Sequence, residues 1–439
     1  MAISGWFVLL VAAGAIPLVA IGQWWVLPGW LLLCALVGAV DLGLAASPRA
    51  LRISRAAPAR IRLGESADSV VRIEHAGRRV LRAVVRDAWP PSAGAGPTRQ
   101  RLVVPAGERR SLTTRLEPFR RGVRPAAEVT VRAFGPMRLL ARQASLRAPA
   151  TVLVLPPFLA RRHLPSRLAR LRELDGATSV MVRGQGTEFD SLRGYVRGDD
   201  VRSIDWRASA RRAGAVAERS DSGLVVRTWR PERDRRVVVI ADTGRTSAAR
   251  IGDGTRLDAG FESALLLAAL ASAGGDRVDL VLHDRRVRAR VQGATGPALL
   301  SRMVGAMATV EPELIEPDWG AVPALVRSAA AQRALVVLLT TPESLAASRG
   351  LLAVIPELAA KHLVLVAAVE DPAVAEASAR RDRIADVHLA AAAERAAADR
   401  AEVAAAVRRL GGDWVSAVPD ALPPAVADRY LAFKAAGRL

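Results

Sequence analysis

The chain has 439 residues, enough for two or three domains with cores of their own. Its formal net charge is +20, but only two basic residues are lysines, Lys361 and Lys434. The arginines are spread along the chain instead of forming basic blocks, so no specific nucleic-acid site is expected.

The single cysteine, Cys34, lies in an apolar run, which excludes a disulfide framework and a cysteine-rich zinc site. Two apolar runs open the chain. Residues 3–22 carry no charge, and residues 24–44 carry only Asp41, near the end. Each is close to the ~20 residues that a membrane-crossing helix needs. Trp6, Trp24, Trp25 and Trp30 suit the membrane–water interface. A transmembrane helical hairpin is expected over residues 1–46. Arg49, Arg52, Arg55, Arg60 and Arg62 follow it, while the connection between the runs has no basic residue. Positive flanks stay inside, so both termini and the soluble domains are expected to be cytoplasmic, in a multi-pass protein of the cell membrane. The flanking arginines are expected to face the headgroups of membrane lipid.

Residues 47–157 alternate apolar with polar or basic residues, with turn signals at Gly64, Pro90-Pro91 and Gly107. Several short strands at this spacing predict a small β-sandwich, serving packing, spacing or partner contact. Residues 158–235 read as a connector, with Leu164, Leu168, Leu171 and Leu174 at helical spacing. From residue 236 to 439 the pattern changes. Continuous apolar strands at 236–242, 334–340 and 363–369 alternate with helical stretches at 255–274, 297–308, 344–360, 394–410 and 422–436. The fold class is therefore α/β, a doubly wound, mostly parallel sheet covered on both faces. Ligands of such sheets sit at the carboxyl ends of strands, which points to Asp242 and to Thr340-Thr341.

The densest polar stretch is residues 184–212. Glu188, Asp190, Asp199, Asp200 and Asp205 interleave there with Arg193, Arg197, Arg202, Arg207, Arg211 and Arg212, and Phe189, Tyr195 and Trp206 fall among them. The carboxylates have the chemistry of general acids and bases. No histidine accompanies them, and an arginine neighbours each. No P-loop or nucleophile elbow is present, so neither ATP hydrolysis nor a set of catalytic residues is expected. An ion-pair network holding an interaction surface is the expected role. Its residues are Glu188, Arg193, Tyr195, Asp199, Asp200, Arg202, Asp205, Trp206 and Arg207, with Tyr195 and Trp206 as anchors.

These EF, LR, Y, GDD, IDW and AR elements, in that order, resemble the signature of the family known as domain of unknown function fifty-eight. The resemblance extends to RRGV at 120–123 and YLAFK at 430–434. It departs at 133–140, where AFGPMRLL replaces a DPFGLF-like turn. It implies a bacterial membrane protein with a von Willebrand factor type A-like domain, encoded beside a MoxR-type AAA+ ATPase. The family has no agreed biochemical activity.

Type A domains hold magnesium through a DxSxS loop with a separate Thr and Asp, an oxygen set suited to a hard cation. Here Asp242 and Thr246 match, Gly244 replaces the first serine, and Thr340-Thr341-Pro342 stands where the second carboxylate is usual. The resemblance thus implies at most a degenerate magnesium site at Asp242 and Thr246, and no other cofactor. The expected function is that of a membrane-anchored, non-enzymatic adaptor. Its partner would be the MoxR-type ATPase, in assembly or remodelling of envelope or metalloprotein complexes. The alternatives are a hydrolase using the motif carboxylates and a metal-dependent adhesion module.

Overall fold

The first apolar run does not make one helix. Pro17 lacks an N–H for the carbonyl four residues back, and the chain turns at Ala13-Gly14. The run becomes α1 (Gly5–Ala12) and α2 (Ala15–Ile21), followed by the longer α3 (Val26–Leu44). The structure is a computed structural model describing residues 1–179, 188–196, 201–213, 224–230 and 235–439. Among these residues α3 begins the one helical segment long and apolar enough to cross a membrane. Both short helices pack against α3. The Trp30 indole N–H donates to the Leu10 carbonyl at 3.1 Å. A Cβ at Gly14 would meet the Trp30 ring at 2.2 Å, so this close approach requires glycine.

The described chain divides into two compact units, residues 1–157 and 158–439. In the first, β1 (Ala2–Ile3) precedes the helices. After them come β2 (Leu51–Ala56), β3 (Arg60–Arg62), β4 (Ala67–His75), β5 (Leu81–Asp87) and β6 (Arg99–Val104), then β7 (Arg109–Leu116), β8 (Gly122–Phe134) and β9 (Leu140–Leu155). One sheet has the order β1-β9-β8-β5-β6 with β3 beside β9, and the other has the order β2-β4-β7. Period-two alternation turns Val71 and Ile73 of β4, Leu81, Ala83 and Val85 of β5, and Val129 and Val131 of β8 into one shared core. β8 and β9 run 13 and 16 residues, longer than the sequence signals. Pro125 and Pro149 lie inside them, accommodated near a register shift between Ala126 and Glu128.

One expectation is overturned here. Arg55 does not face headgroups. Its side chain is fully buried, paired with the Asp87 carboxylate, and it donates to the carbonyls of Ala126, Ala148 and Glu128. Trp89 stacks on it with 5.4 Å from guanidinium carbon to ring centre, and the Trp89 N–H donates to Asp87 at 3.0 Å. A charge flanking an apolar run looks like a membrane flank in sequence; the carbonyls that receive this one come from strands more than 70 residues away.

The second unit begins with α4 (Leu164–Ser179), which packs on later helices. Next come β10 (Glu188–Gly194), α5 (Trp206–Ala213) and β11 (Val225–Arg230). β12 (Arg236–Asp242), β13 (Arg250–Ile251), β14 (Gly254–Thr255), α6 (Arg256–Ala273), β15 (Arg277–His283) and β16 (Val287–Val291) follow. Then α7 (Gly296–Ala308), α8 (Val322–Ala329), β17 (Leu335–Leu339), α9 (Arg349–Ala359) and β18 (Leu363–Val369) alternate. α10 (Pro372–Ala379), α11 (Ile384–Arg409), β19 (Asp413–Ala417) and α12 (Leu422–Ala435) complete it.

The main sheet has the order β16-β15-β12-β17-β18-β19, parallel except for β16 at one edge. Residues of α8, α9 and α11 share a core with strands of this sheet, while α6 and α12 pack together, α6 on β12 and β15 and α12 on β18 and β19. α6 starts at a capping box: the Thr255 hydroxyl accepts the Asp258 N–H, and the Asp258 carboxylate accepts the Thr255 N–H. The YLAFK segment lies in α12. There the buried Tyr430 hydroxyl donates to Asp276 at 2.6 Å and Lys434 lies 3.8 Å from the same carboxylate, so the segment locks α12 to the turn before β15.

Candidate functional site

Polar side chains converge at two places, the motif segment and the carboxyl end of β12. In the first, β10 and β11 form an antiparallel pair, and α5 lies beside β11. Asp205 sets the start of α5. Its carboxylate accepts the N–H groups of Arg207 and Ala208, each at 3.0 Å, as an N-cap residue does. The Ser209 hydroxyl donates to the Asp205 carbonyl at 2.7 Å and accepts the Val225 N–H at 2.8 Å, which fastens α5 to β11. Tyr195 is half-buried, and its N–H donates to the Leu224 carbonyl. Trp206, at the first position of α5, is 64% exposed. Leu192, Val196 and Val201 of the same module are exposed too, as is Arg207. Asp199 and Asp200 lie outside the described residues, as do the side chains of Glu188, Arg193 and Arg202.

At the second place, β12 and β17 are neighbouring parallel strands, first and fourth among the six strands of the sheet in chain order. This is where the strand order reverses, the place at which sheets of this kind take ligands. Asp242 ends β12 and is 2% exposed. Its Oδ1 accepts the Gly244 N–H at 2.7 Å; its Oδ2 accepts the Thr340 hydroxyl at 2.7 Å and the Thr246 hydroxyl at 3.1 Å. Burial pushes the carboxyl above its usual range, and these three hydrogen bonds only partly oppose that. Thr341 faces elsewhere, with its hydroxyl accepting the Val369 N–H at 3.1 Å.

Around this carboxylate lies a charged rim. Arg245 meets Glu316 at 2.7 Å and Glu343 at 3.4 Å, and Arg256 reaches Glu343 at 3.2 Å. Beneath it, the Thr243 hydroxyl donates to the buried Asp284 at 2.9 Å, which also holds Arg288 at 3.0 Å. The sequence brings Asp242, Thr246 and Thr340 to notice, and the fold joins all three. It gives no sign of Arg256, Glu316, Glu343 or Asp284, whose partners are distant in the chain.

The donor set falls short of a type A cation site. One carboxylate and two hydroxyls converge, whereas a hard cation takes about six oxygens. A serine at 244 has no room, since a Cβ there would meet the Ile315 carbonyl at 2.6 Å. The Thr341 hydroxyl is committed to backbone. Among the described residues no group of three or more His, Cys, Asp or Glu side chains is placed to hold a metal. The arrangement acts as a latch of hydrogen bonds between the ends of β12 and β17.

Comparison with known proteins bears on the same segments. The family described as protein of unknown function DUF58 matches residues 191–402. Residues 191–402 are a DUF58 domain. The matched range begins inside the motif module and takes in both Trp206 and Asp242; the first unit and the YLAFK segment lie outside it. No curated protein matches the chain. Among solved structures, the CARDB domain of a Pyrococcus furiosus protein, determined with di-metal ions, is 14% identical, over 26% of this chain and 91% of that one, with a TM-score of 0.19. A FixG-related protein of Vibrio parahaemolyticus is 10% identical, over 24% of this chain and 96% of that one, with a TM-score of 0.16. Neither likeness carries an argument about this DUF58 protein.

Proposed function

We propose that this DUF58 protein is a membrane-anchored adaptor whose motif module binds a protein partner. The observation that carries the reading is Trp206, 64% exposed at the start of a helix that Asp205 and Ser209 fix in place. An exposed indole on a fixed helix start, in a module that also exposes Leu192, Val196, Val201 and Arg207, has the composition of an interface anchor. The strand order and the place of Asp242 support a von Willebrand factor type A-like domain. α3, with α1 and α2 against it, supports a hairpin anchor with both termini cytoplasmic. The partner is a MoxR-type AAA+ ATPase, as the family resemblance implies.

The test is a pull-down from native membranes with the full chain as bait, with and without ATP, read by mass spectrometry. The adaptor reading requires an AAA+ ATPase to be enriched and to be lost with Trp206→Ala, while the variant's unfolding curve matches that of the wild type. A clean pull-down without an ATPase sinks that partnership.

A further inference from the structure

The outward face of β5 and its neighbours carries an unusual charge pattern. Leu81, Ala83 and Val85 of β5 point into the core, so Arg82, Val84 and Arg86 point out. Directly across from Val84 on β6 is Arg101, and across from Arg86 is Arg99. Like charges directly opposite each other destabilise a sheet unless something neutralises them. Among the described residues Arg82, Arg86, Arg99 and Arg101 have no ion-pair partner.

The end of this face nearest α1 is shaped as a cleft of about 290 Å³, lined by Arg82, Arg101, Arg138, Phe134 and Trp6. Arg138 is held there at some cost. Its φ of 58° is the only positive value at a described residue other than glycine. The turn that carries it is tied to the end of α3, where the buried Asp41 accepts the N–H groups of Met137, Leu139 and Leu140 at 2.8, 2.8 and 3.1 Å. A second groove, of about 380 Å³, continues past Trp6 and Arg138 and is otherwise lined by Leu9, Leu10, Met137 and Leu139. Trp6 and Arg138 line both, so the cleft with its three guanidinium groups runs on into an apolar groove along α1.

We infer that this double cleft binds an anionic phospholipid, with its phosphate among Arg82, Arg101 and Arg138 and an acyl chain along Leu9, Leu10 and Met137. Guanidinium groups match phosphate oxygens in charge and geometry. The contiguous apolar groove favours a lipid over free phosphate or nucleic acid, because neither of those has a chain to fill it. Basic residues at a cytoplasmic membrane surface meet the anionic leaflet, so the inference rests on the membrane-anchor reading.

The test uses the full chain in non-ionic detergent, offered equal amounts of phosphatidylglycerol and phosphatidylcholine, with retained lipid measured by mass spectrometry. The wild type retains phosphatidylglycerol preferentially. The triple variant Arg82→Gln, Arg101→Gln, Arg138→Gln loses that preference by at least about tenfold. Arg138→Gly provides a control for folding, since glycine suits the backbone there: its thermal stability holds or rises while its phosphatidylglycerol preference falls. Equal retention of the two lipids overturns the inference, as does an unchanged preference in either variant or full competition by inorganic phosphate. Flotation of the wild type with phosphatidylcholine vesicles tests the anchor separately. A chain that does not float refutes the anchor; one that floats but shows no preference refutes only the lipid site.

Discussion

Asp41 accepts the backbone N–H of Leu139 at 2.8 Å, joining the last turn of α3 to a turn 98 residues away. The one acidic residue of the second apolar run is therefore a structural tie. Within the AFGPMRLL segment three backbone N–H groups converge on this one buried carboxylate. Asp41→Ala leaves these donors without their acceptor. At roughly 1–3 kcal/mol for a buried group left unpaired, the loss is expected to be about 3 kcal/mol or more, measured by thermal unfolding in detergent. A change under about 0.5 kcal/mol, the usual range for surface substitutions, contradicts the assignment.

The Arg55–Asp87 ion pair is buried on both sides. Removing one partner strands the other charge, so Asp87→Ala and Arg55→Ala are each expected to cost about 3–5 kcal/mol. Replacing both with apolar residues is expected to cost less than either single change. Denaturant unfolding of the three variants checks the order.

Asp242 gives a prediction about pH. Its carboxyl sits above the ordinary range because it is buried. Between the unfolded value and this raised one, the folded state holds a proton that the unfolded state lacks. Stability therefore falls as pH rises through that window and stays lower above it. Asp242→Asn keeps a hydrogen-bonding group facing Thr340 and Thr246 but removes the charge. The variant is expected to gain on the wild type as pH rises towards neutrality, and to lose that advantage in acid. Unfolding temperatures across pH, with and without magnesium, decide the matter. A magnesium-dependent rise in the wild type that Asp242→Asn abolishes would restore the cation site.

The Tyr430 hydroxyl and Asp276 join α12 to the turn before β15. Tyr430→Phe removes one buried donor and is expected to cost about 1–3 kcal/mol. It leaves Trp206 and its surroundings untouched, so partner capture is expected to persist.

The sequence makes much of this fold legible. β18 is a run of seven apolar residues, the pattern of a strand buried on both faces. Thr255 with Asp258 marks the start of α6 as a capping box does. What is hidden depends on distant partners. Arg55 looks like any other arginine after an apolar run until the Ala126 and Ala148 carbonyls arrive beside it. The lengths of β8 and β9 are obscured by prolines that the sheet tolerates. At the candidate sites, Asp242 and Thr246 share a loop and can be read together, whereas the rim formed by Arg256 and Glu343 spans 87 residues. Asp205 reads as one member of an ion network, and its described contacts make it a helix cap.

The central claim is that Trp206 meets a protein partner, and site-specific photocrosslinking tests it most directly. A photoreactive residue placed at 206 in the full chain, in native membranes, is expected to crosslink to an AAA+ ATPase, while one at the exposed Phe119 of the other unit does not. If position 206 yields no protein adduct while the chain is folded and in the membrane, Trp206 is not an interface anchor and the adaptor account fails.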